Sequence, residues 1–283
     1  MFYCVNDHVP VETVALLRGS CAERGIEFVD VDARSFDFAR TSPLSPGSIL
    51  YRPAVSIAAI RVEQFLHAEG VATFYAQPDG VFFPYVAQPL LYQRAGVPIA
   101  RTVPCFTASR SLLRSYVEAL GGFPLVMKMP GNSGGVGVLR VDSLPALYSL
   151  ADYVLARGDT PVLCTFIAES THWRVIVVGA TAVAAYRNTR ADGDFRTYGG
   201  HRREDFFEVV DDHLARLAVR AVSVLRLEHG GVDILEDPHG QLYVLETNFP
   251  CYYPHAQQVA GIDISGKMVD FLAAKAKRLR NDV

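Results

Sequence analysis

Apolar and polar positions alternate along this chain with two different periods, and the changes between them mark its elements. Residues 2–5 form a short apolar run, and residues 11–24 then set Val14, Leu17 and Cys21 at helical spacing before a stop at Gly25. Strands follow at 26–31 and 48–52, then a helix at 58–68 carrying Ile60, Val62, Phe65 and Leu66, then a return to strand at 73–75. Strands alternating with helices predict a parallel sheet covered on both faces, in a first unit running to about residue 95. That unit lacks a Gly-x-Gly-x-x-Gly turn, so nothing in it points to a dinucleotide.

Beyond it, residues 97–103 read as extended, 109–120 as a helix ended by Gly121 and Gly122, and 123–128 as a strand. A glycine-rich stretch at 131–137 leads into a strand at 138–141, a helix at 144–157 and a strand at 161–167. Residues 173–178 and 180–186 make a hairpin turning at Gly179. An amphipathic helix spans 211–227, with Leu214, Leu217, Ala218, Ala221, Val222 and Leu225 on one face and Asp211 and Asp212 at the favourable end of its dipole. The last helix, 265–280, becomes basic toward its end.

Two runs near the C-terminus carry the clearest chemistry. Residues 230–235 are apolar except for Asp233, residues 241–248 carry Glu246 and Asn248 among apolar neighbours, and Asp237-Pro238-His239-Gly240 between them signals a hairpin. Pairing Glu236 with Gln241 sets Asp233 opposite Val244 and diagonal to Glu246, with Asn248 on the same face. Diagonal neighbours lie roughly 7–8 Å apart, within reach of a bridging cation, and three hard oxygen donors suit magnesium. The plainer alternative is a set of solvated carboxylates beside a turn. Burial of an unpaired carboxylate costs several kcal/mol, which favours the metal in so apolar a setting.

Composition narrows the partners. The 283 residues suffice for one large domain or two ordinary ones, and the formal charge of -3 is spread over 27 basic and 30 acidic residues. No basic face advertises nucleic acid or anionic lipid, so a small molecule or a peptide is the expected partner. Cys4, Cys21, Cys105, Cys164 and Cys251 show neither Cys-x-x-Cys spacing nor a disulfide framework, which suggests the cytoplasm. No basic stretch precedes the first apolar residues, and the longest apolar run, 175–186, is short and broken by glycine, so no membrane span is expected.

Lysine is scarce here. Lys128 stands alone in an apolar strand, while Lys267, Lys275 and Lys277 all fall in the last helix, against an arginine-rich background. A compact point charge at Lys128 suits phosphate neutralisation; a strand-end lysine reaching for solvent is the plainer reading. The glycines of 131–137 leave backbone amides free to approach anionic oxygens, or simply make a tight turn. They do not form a Walker loop, because no Gly-Lys-Ser/Thr ends the run and a strand follows it.

Taken in order, the strand lysine, glycine-rich flap, connecting strand, arginine-bearing hairpin, Asp194-Phe195-Arg196 segment and Asp/Glu-x-Asn hairpin resemble the ATP-grasp superfamily. The likeness is closest to its RimK-like carboxylate–amine ligases, and it covers roughly residues 97–275. It is most specific at 125–128 with the flap, at 174–179 through 193–196, and at 231–235 through 246–248, continuing into 261–268.

The resemblance implies an α/β chain with an α+β ATP-grasp core. Residues 1–95 would form a Rossmann-like pre-ATP-grasp domain, 96–165 a small lid subdomain with the flap, and 166–283 a C-terminal subdomain with the metal site. ATP and Mg²⁺ are the implied cofactors, with two ions and with Mn²⁺ as a substitute. Lys128 would meet the phosphates beneath the flap of Gly131, Ser133, Gly134, Gly135 and Val136. Thr165, Phe166, Ile167 and Glu169 would line the adenine, and Arg174 and Arg196 would be catalytic, near the phosphates and the acyl intermediate. Asp233, Glu246 and Asn248 would hold the metal. Such enzymes activate a carboxylate as acyl phosphate and let an amine displace the phosphate; a dimer or tetramer is common among them.

Several positions depart from the family pattern. The lysine usual just before the core is replaced near Tyr85, the Gln-Glu of the linker strand is Cys164-Thr165, and the acid two residues before the hairpin arginine is His172. Residues 249–255 form a bulky aromatic loop where small residues are usual, expected to border the acceptor pocket, and His201 and His255 are candidate bases. Phosphoryl transfer without amide formation, and a weak nucleotide-binding protein acting through a partner, are the other readings.

Overall fold

The computed structural model describes residues 1–82, 87–103, 107–129, 135–190, 193–198 and 202–281. The N-terminal part consists of β1 (Phe2–Asn6), α1 (Val11–Glu23), β2 (Phe28–Asp32), β3 (Ile49–Tyr51), α2 (Ile57–Leu66) and, after a short 3₁₀ turn, α3 (Gln88–Arg94). Next come β4 (Thr102–Val103), α4 (Arg110–Ala119), β5 (Leu125–Lys128), β6 (Val138–Val141), α5 (Leu144–Ala156) and β7 (Val162–Thr165). The remainder comprises β8 (Thr171–Val178), β9 (Thr181–Arg190), β10 (Thr197–Tyr198), β11 (Phe206–Phe207), α6 (Asp212–Val224), β12 (His229–Glu236), β13 (Leu242–Asn248), α7 (Pro254–Ala260) and α8 (Ile264–Asn281).

Among the described residues these strands make three sheets. The first, in the order β2-β1-β3, is parallel as the alternation of strand and helix requires. The second, β4-β7-β5-β6, is antiparallel, and the third runs β10-β9-β8-β12-β13 with β11 also paired to β9. Residues 73–75 do not extend the first sheet. Only an isolated bridge joins Ala72 to Ile49, and Tyr75 pairs with Leu227 instead.

Local chemistry sets the helix ends. Ser56, Ser109, Ser143 and Asp211 accept hydrogen bonds from the first-turn amides of α2, α4, α5 and α6, satisfying donors that have no partner within the helix. The helix expected to run to residue 227 stops earlier. Arg226 takes a left-handed backbone (φ 58°), its N–H donates to the Ser223 carbonyl, and Leu227 N–H donates to that of Val222 at 3.2 Å. The short helices α3 and α7 have no counterpart in the sequence pattern.

Burial divides the molecule unevenly. Leu113, Leu125, Met127, Leu147, Val154 and Leu163 close a core drawn wholly from the β4–β7 unit. Another core spans distant parts of the chain, joining Phe2, Leu17 and Tyr51 to Ile176, Tyr253 and Leu272. The opposite face of the third sheet packs on α6 through Leu214, Leu217, Ala218 and Val222. No helix among the described residues is long and apolar enough to cross a membrane.

Candidate active site

Period-two alternation and strand register together place one row of polar side chains across the third sheet. Tyr186 of β9 pairs with Arg174 of β8, Arg174 with Asp233 of β12, and Asp233 with Glu246 of β13. Directly paired residues share a face, so all four project to one side. One rung further along, the same face carries Ala184, Ile176, Gly231 and Asn248, and there it enters the shared core.

The register differs from the expected one. Asp233 lies opposite Glu246, and Val244 pairs with Ile234, because the ladder shifts between Asp233 and Ile234 and leaves Leu245 as an extra residue. Strict alternation would set Val244 and Glu246 on one face. The bulge separates them: Val244 is 2% exposed in the core against α6, while Glu246 and Leu245 face a cavity. Gathering of Asp233, Glu246 and Asn248 on one side thus depends on a β-bulge that hairpin pairing alone did not reveal.

Asp233 is 4% exposed. Its Oδ1 accepts from Arg174 Nε at 2.6 Å and meets His172 Nε2 at 3.1 Å; its Oδ2 accepts from Arg174 Nη2 at 2.9 Å and Asn248 Nδ2 at 3.0 Å. Burial alone would raise the Asp233 carboxyl, but the Arg174 charge and the bonds from His172 and Arg174 outweigh it and hold the group well below the usual carboxylate range. Arg174 is half-buried, and Asp233 overcomes its desolvation and keeps its guanidinium charged. Gly231 makes this pairing possible. A methyl group there would stand 3.0 Å from Arg174 Nη1 and 2.7 Å from Cys251 Sγ, in the path that the arginine follows across the sheet.

A cavity of about 410 Å³ opens between the second and third sheets. The second sheet contributes Lys128 at the end of β5 and Thr165 at the end of β7; the third contributes Arg174, Asp233 and Glu246. Phe166, Ile167, Gly135 and Arg196 line it as well, so most of the expected nucleotide and catalytic residues converge on one space. Arg196 binds Asp194 and also donates to the Gly135 carbonyl at 3.2 Å, tying its loop to the end of the glycine-rich stretch. Phe166 and Ile167 lie just past β7 rather than within it; Phe166 stacks edge-on against Phe195 and carries Arg140 over its ring.

Other expected residues fall elsewhere. Val136 is exposed, and Glu169, with a left-handed backbone, borders a shallower hollow beside Phe166. Gly131, Ser133, Gly134, Tyr85, Cys105 and His201 lie outside the described residues. Of the aromatic loop, only Tyr252 reaches the cavity, where its hydroxyl donates to Glu12 of α1 at 3.0 Å; Cys251 and Tyr253 are buried in the shared core, and His255 packs against Phe206. Tyr186 and Thr197 also line the cavity, as does Phe195 of the Asp194-Phe195-Arg196 segment, although none was singled out as a site residue. His172, noted in the sequence only as a departure from pattern, bridges Thr197 and Asp233.

The donor set suits a hard divalent ion. Among the described residues no three His, Cys, Asp or Glu side chains suffice to hold an ion alone, so Asp233 and Glu246 depend on the carboxamide of Asn248. Asn248 Nδ2 donates to both carboxylates, at 3.0 and 3.2 Å, which brings the three groups together; to hold an ion the carboxamide would turn its oxygen toward it.

A sheet of four strands facing a larger sheet across a cavity that charged side chains enter from both walls defines the class of fold. Solved structures share it over nearly the whole chain. The ATP-grasp ligase PsnB complexed with minimal precursor superposes with a TM-score of 0.73 at 17% identity, covering 97% of this chain and 98% of that one. D-alanine–D-alanine ligase from Bacillus anthracis does so with 0.64 at 14% identity, covering 99% and 98%. The RimK-like ATP-grasp domain matches residues 89–272, and the chain belongs to that family. A probable alpha-L-glutamate ligase of Legionella pneumophila (strain Corby) is 28% identical over 68% of this chain and 63% of its own length. One of Picosynechococcus is 30% identical over 63% and 60%, and one of Rhodopirellula baltica 27% over 60% and 42%. The chain spans 42% to 63% of the length of these relatives.

Proposed function

We propose that this protein is an ADP-forming ligase that uses ATP and magnesium to join a carboxylate to an amine. The observation that carries the reading is a single cavity with an isolated lysine on one wall and a carboxylate-rich rung on the other. Lys128 neutralises phosphate oxygens from the second sheet, and Arg196 presents a second cation while its bond to the Gly135 carbonyl ties it to that side of the cavity. Thr165, Phe166 and Ile167 form the wall for the base, and Tyr252 closes the side toward α1, where the acceptor enters. Asp233, Glu246 and Asn248 are the residues that would hold magnesium, with Mn²⁺ as a substitute and room for a second ion in the reading. The metal, when bound, supplies charge to the oxygens of the transferred phosphoryl group.

Positioning does most of the remaining work. The cavity brings the carboxylate against the terminal phosphate, excludes water from the activated acyl group and leaves the amine to displace phosphate. In this reading residues 1–95, 96–165 and 166–283 are the pre-ATP-grasp, lid and metal-bearing parts. Amino acids or peptides are the favoured substrates, in keeping with relatives called glutamate ligases and with PsnB complexed with a precursor.

Glu246→Ala should lower turnover at least a hundredfold while leaving the melting temperature within a few degrees, since Glu246 is exposed to the cavity. Phosphate release across pairs of carboxylates and amines measures this. An active, metal-binding variant would contradict the metal assignment. ADP release that never depends on an added amine would point to phosphoryl transfer instead.

A further inference from the structure

The carboxylate of Asp233 is already saturated. An ionised carboxylate has about four lone-pair directions. Those of Asp233 meet Arg174 Nε and His172 Nε2 on one oxygen, and Arg174 Nη2 and Asn248 Nδ2 on the other. A cation that reaches Asp233 therefore has to displace a donor, and turning the Asn248 carboxamide frees only one direction, on an oxygen that Arg174 Nη2 still holds. Arg174 supplies two of the four contacts and a permanent charge, in a two-pronged geometry that is among the strongest a carboxylate makes.

A guanidinium and a divalent ion on one buried carboxylate also repel each other, and water screens that repulsion poorly in so enclosed a place. Arg174 has somewhere else to turn. Its side chain lines the same cavity as Lys128 and Arg196, the two cations that face the nucleotide phosphates in the proposed reading. A polyphosphate there offers the guanidinium a second anionic partner.

Resting on the ligase reading above, we propose that Arg174 and the divalent cation exchange at Asp233, so that the metal binds strongly only when a nucleotide draws the guanidinium away. Arg174 then acts as a positioning residue, keeping the buried acid neutralised and linking metal binding to nucleotide binding. Because such a linkage is reciprocal, the metal should strengthen nucleotide binding by the same factor.

Mn²⁺ alone, without nucleotide, is the decisive probe, titrated calorimetrically into the wild type and into Arg174→Gln. The variant should bind bare Mn²⁺ at least tenfold more tightly, and its melting temperature should rise more on adding the ion. With ADP present, the wild type should gain far more Mn²⁺ affinity at the protein than the variant does. Arg174→Lys keeps a charge but loses the paired grip, and carries the same test with a several-fold shift should Arg174→Gln not fold. Equal or weaker bare-metal binding in the variants would overturn the exchange while leaving the ligase reading intact. A wild type that binds no Mn²⁺ either alone or with ADP would instead overturn the ligase reading, and this inference with it.

Discussion

Two ionisable residues stand four positions apart on β12, both buried, and burial treats them in opposite ways. Asp233 has Arg174 beside it and keeps its charge; His229, fully buried among Phe74, Tyr51 and Phe249, has no charged partner and loses it. Burial pushes the imidazole down to about 4, against the opposing effect of its 2.7 Å bond to the Val177 carbonyl. Nδ1 therefore carries the proton, and Nε2 has no hydrogen-bond partner. The sign follows. Below pH 6.5 the unfolded chain protonates this histidine while the folded one does not, so its contribution is intact above 6.5 and is lost as pH falls toward 4. Unfolding in urea should show a loss of up to roughly 3 kcal/mol across that window, and His229→Leu should flatten it. An unchanged slope in the variant would refute the assignment. At this scale the sequence revealed the polar residues that interrupt apolar runs, Asp233, Glu246, Asn248 and Lys128. It did not reveal the contacts of His172, because Thr197 and Asp233 lie 25 and 61 residues away on other strands.

Strands β12 and β13 show what an element can conceal. Their hairpin was legible from two apolar runs around Asp-Pro-His-Gly, yet the register was not, since a one-residue bulge leaves no mark on composition. Leu245 is the residue that lets Val244 enter the core and Glu246 leave it. Beside it, Gly231 keeps a flat path open over the sheet. Gly231→Ala places a methyl group against Arg174 Nη1 and Cδ, at 3.0 and 3.1 Å, and against the buried Cys251 sulfur at 2.7 Å. Overpacking of this kind costs roughly 1–3 kcal/mol, and here it also pushes the arginine off Asp233. The expected result is a lower melting temperature together with activity lost beyond what stability explains; wild-type turnover in the variant would show that Arg174 does not need that route. The short helices α3 and α7 escaped notice for a simpler reason. Seven residues each give too few turns for helical periodicity to stand out.

On the scale of the molecule, the parallel first sheet was legible from the alternation of strand and helix, whereas the division of the later strands into two units came only with the ATP-grasp resemblance. Which faces meet was not legible, because apolar helix faces look alike before they are packed. Phe2, Cys4, Leu17 and Tyr51 share their core with Met268, Val269 and Leu272 of α8, and Lys275 of that helix donates to the Thr73 and Tyr75 carbonyls and to Glu228. Residues 1–95 therefore keep only α1 over that side of their sheet when cut from the rest. Expressed alone, that fragment should show no cooperative thermal transition by circular dichroism; a stable, folded fragment would mean that α8 adds little. The β4–β7 unit is built on the opposite principle. Because every buried side chain of its core comes from its own stretch of chain, a swing of the unit as one rigid jaw would leave that core intact and uncover little beyond Val126 and Cys164 at the cavity. Polar tethers such as Arg196 to Gly135 would then resist opening, and in the proposed ligase a handful of hydrogen bonds would help to set how fast ligands come and go.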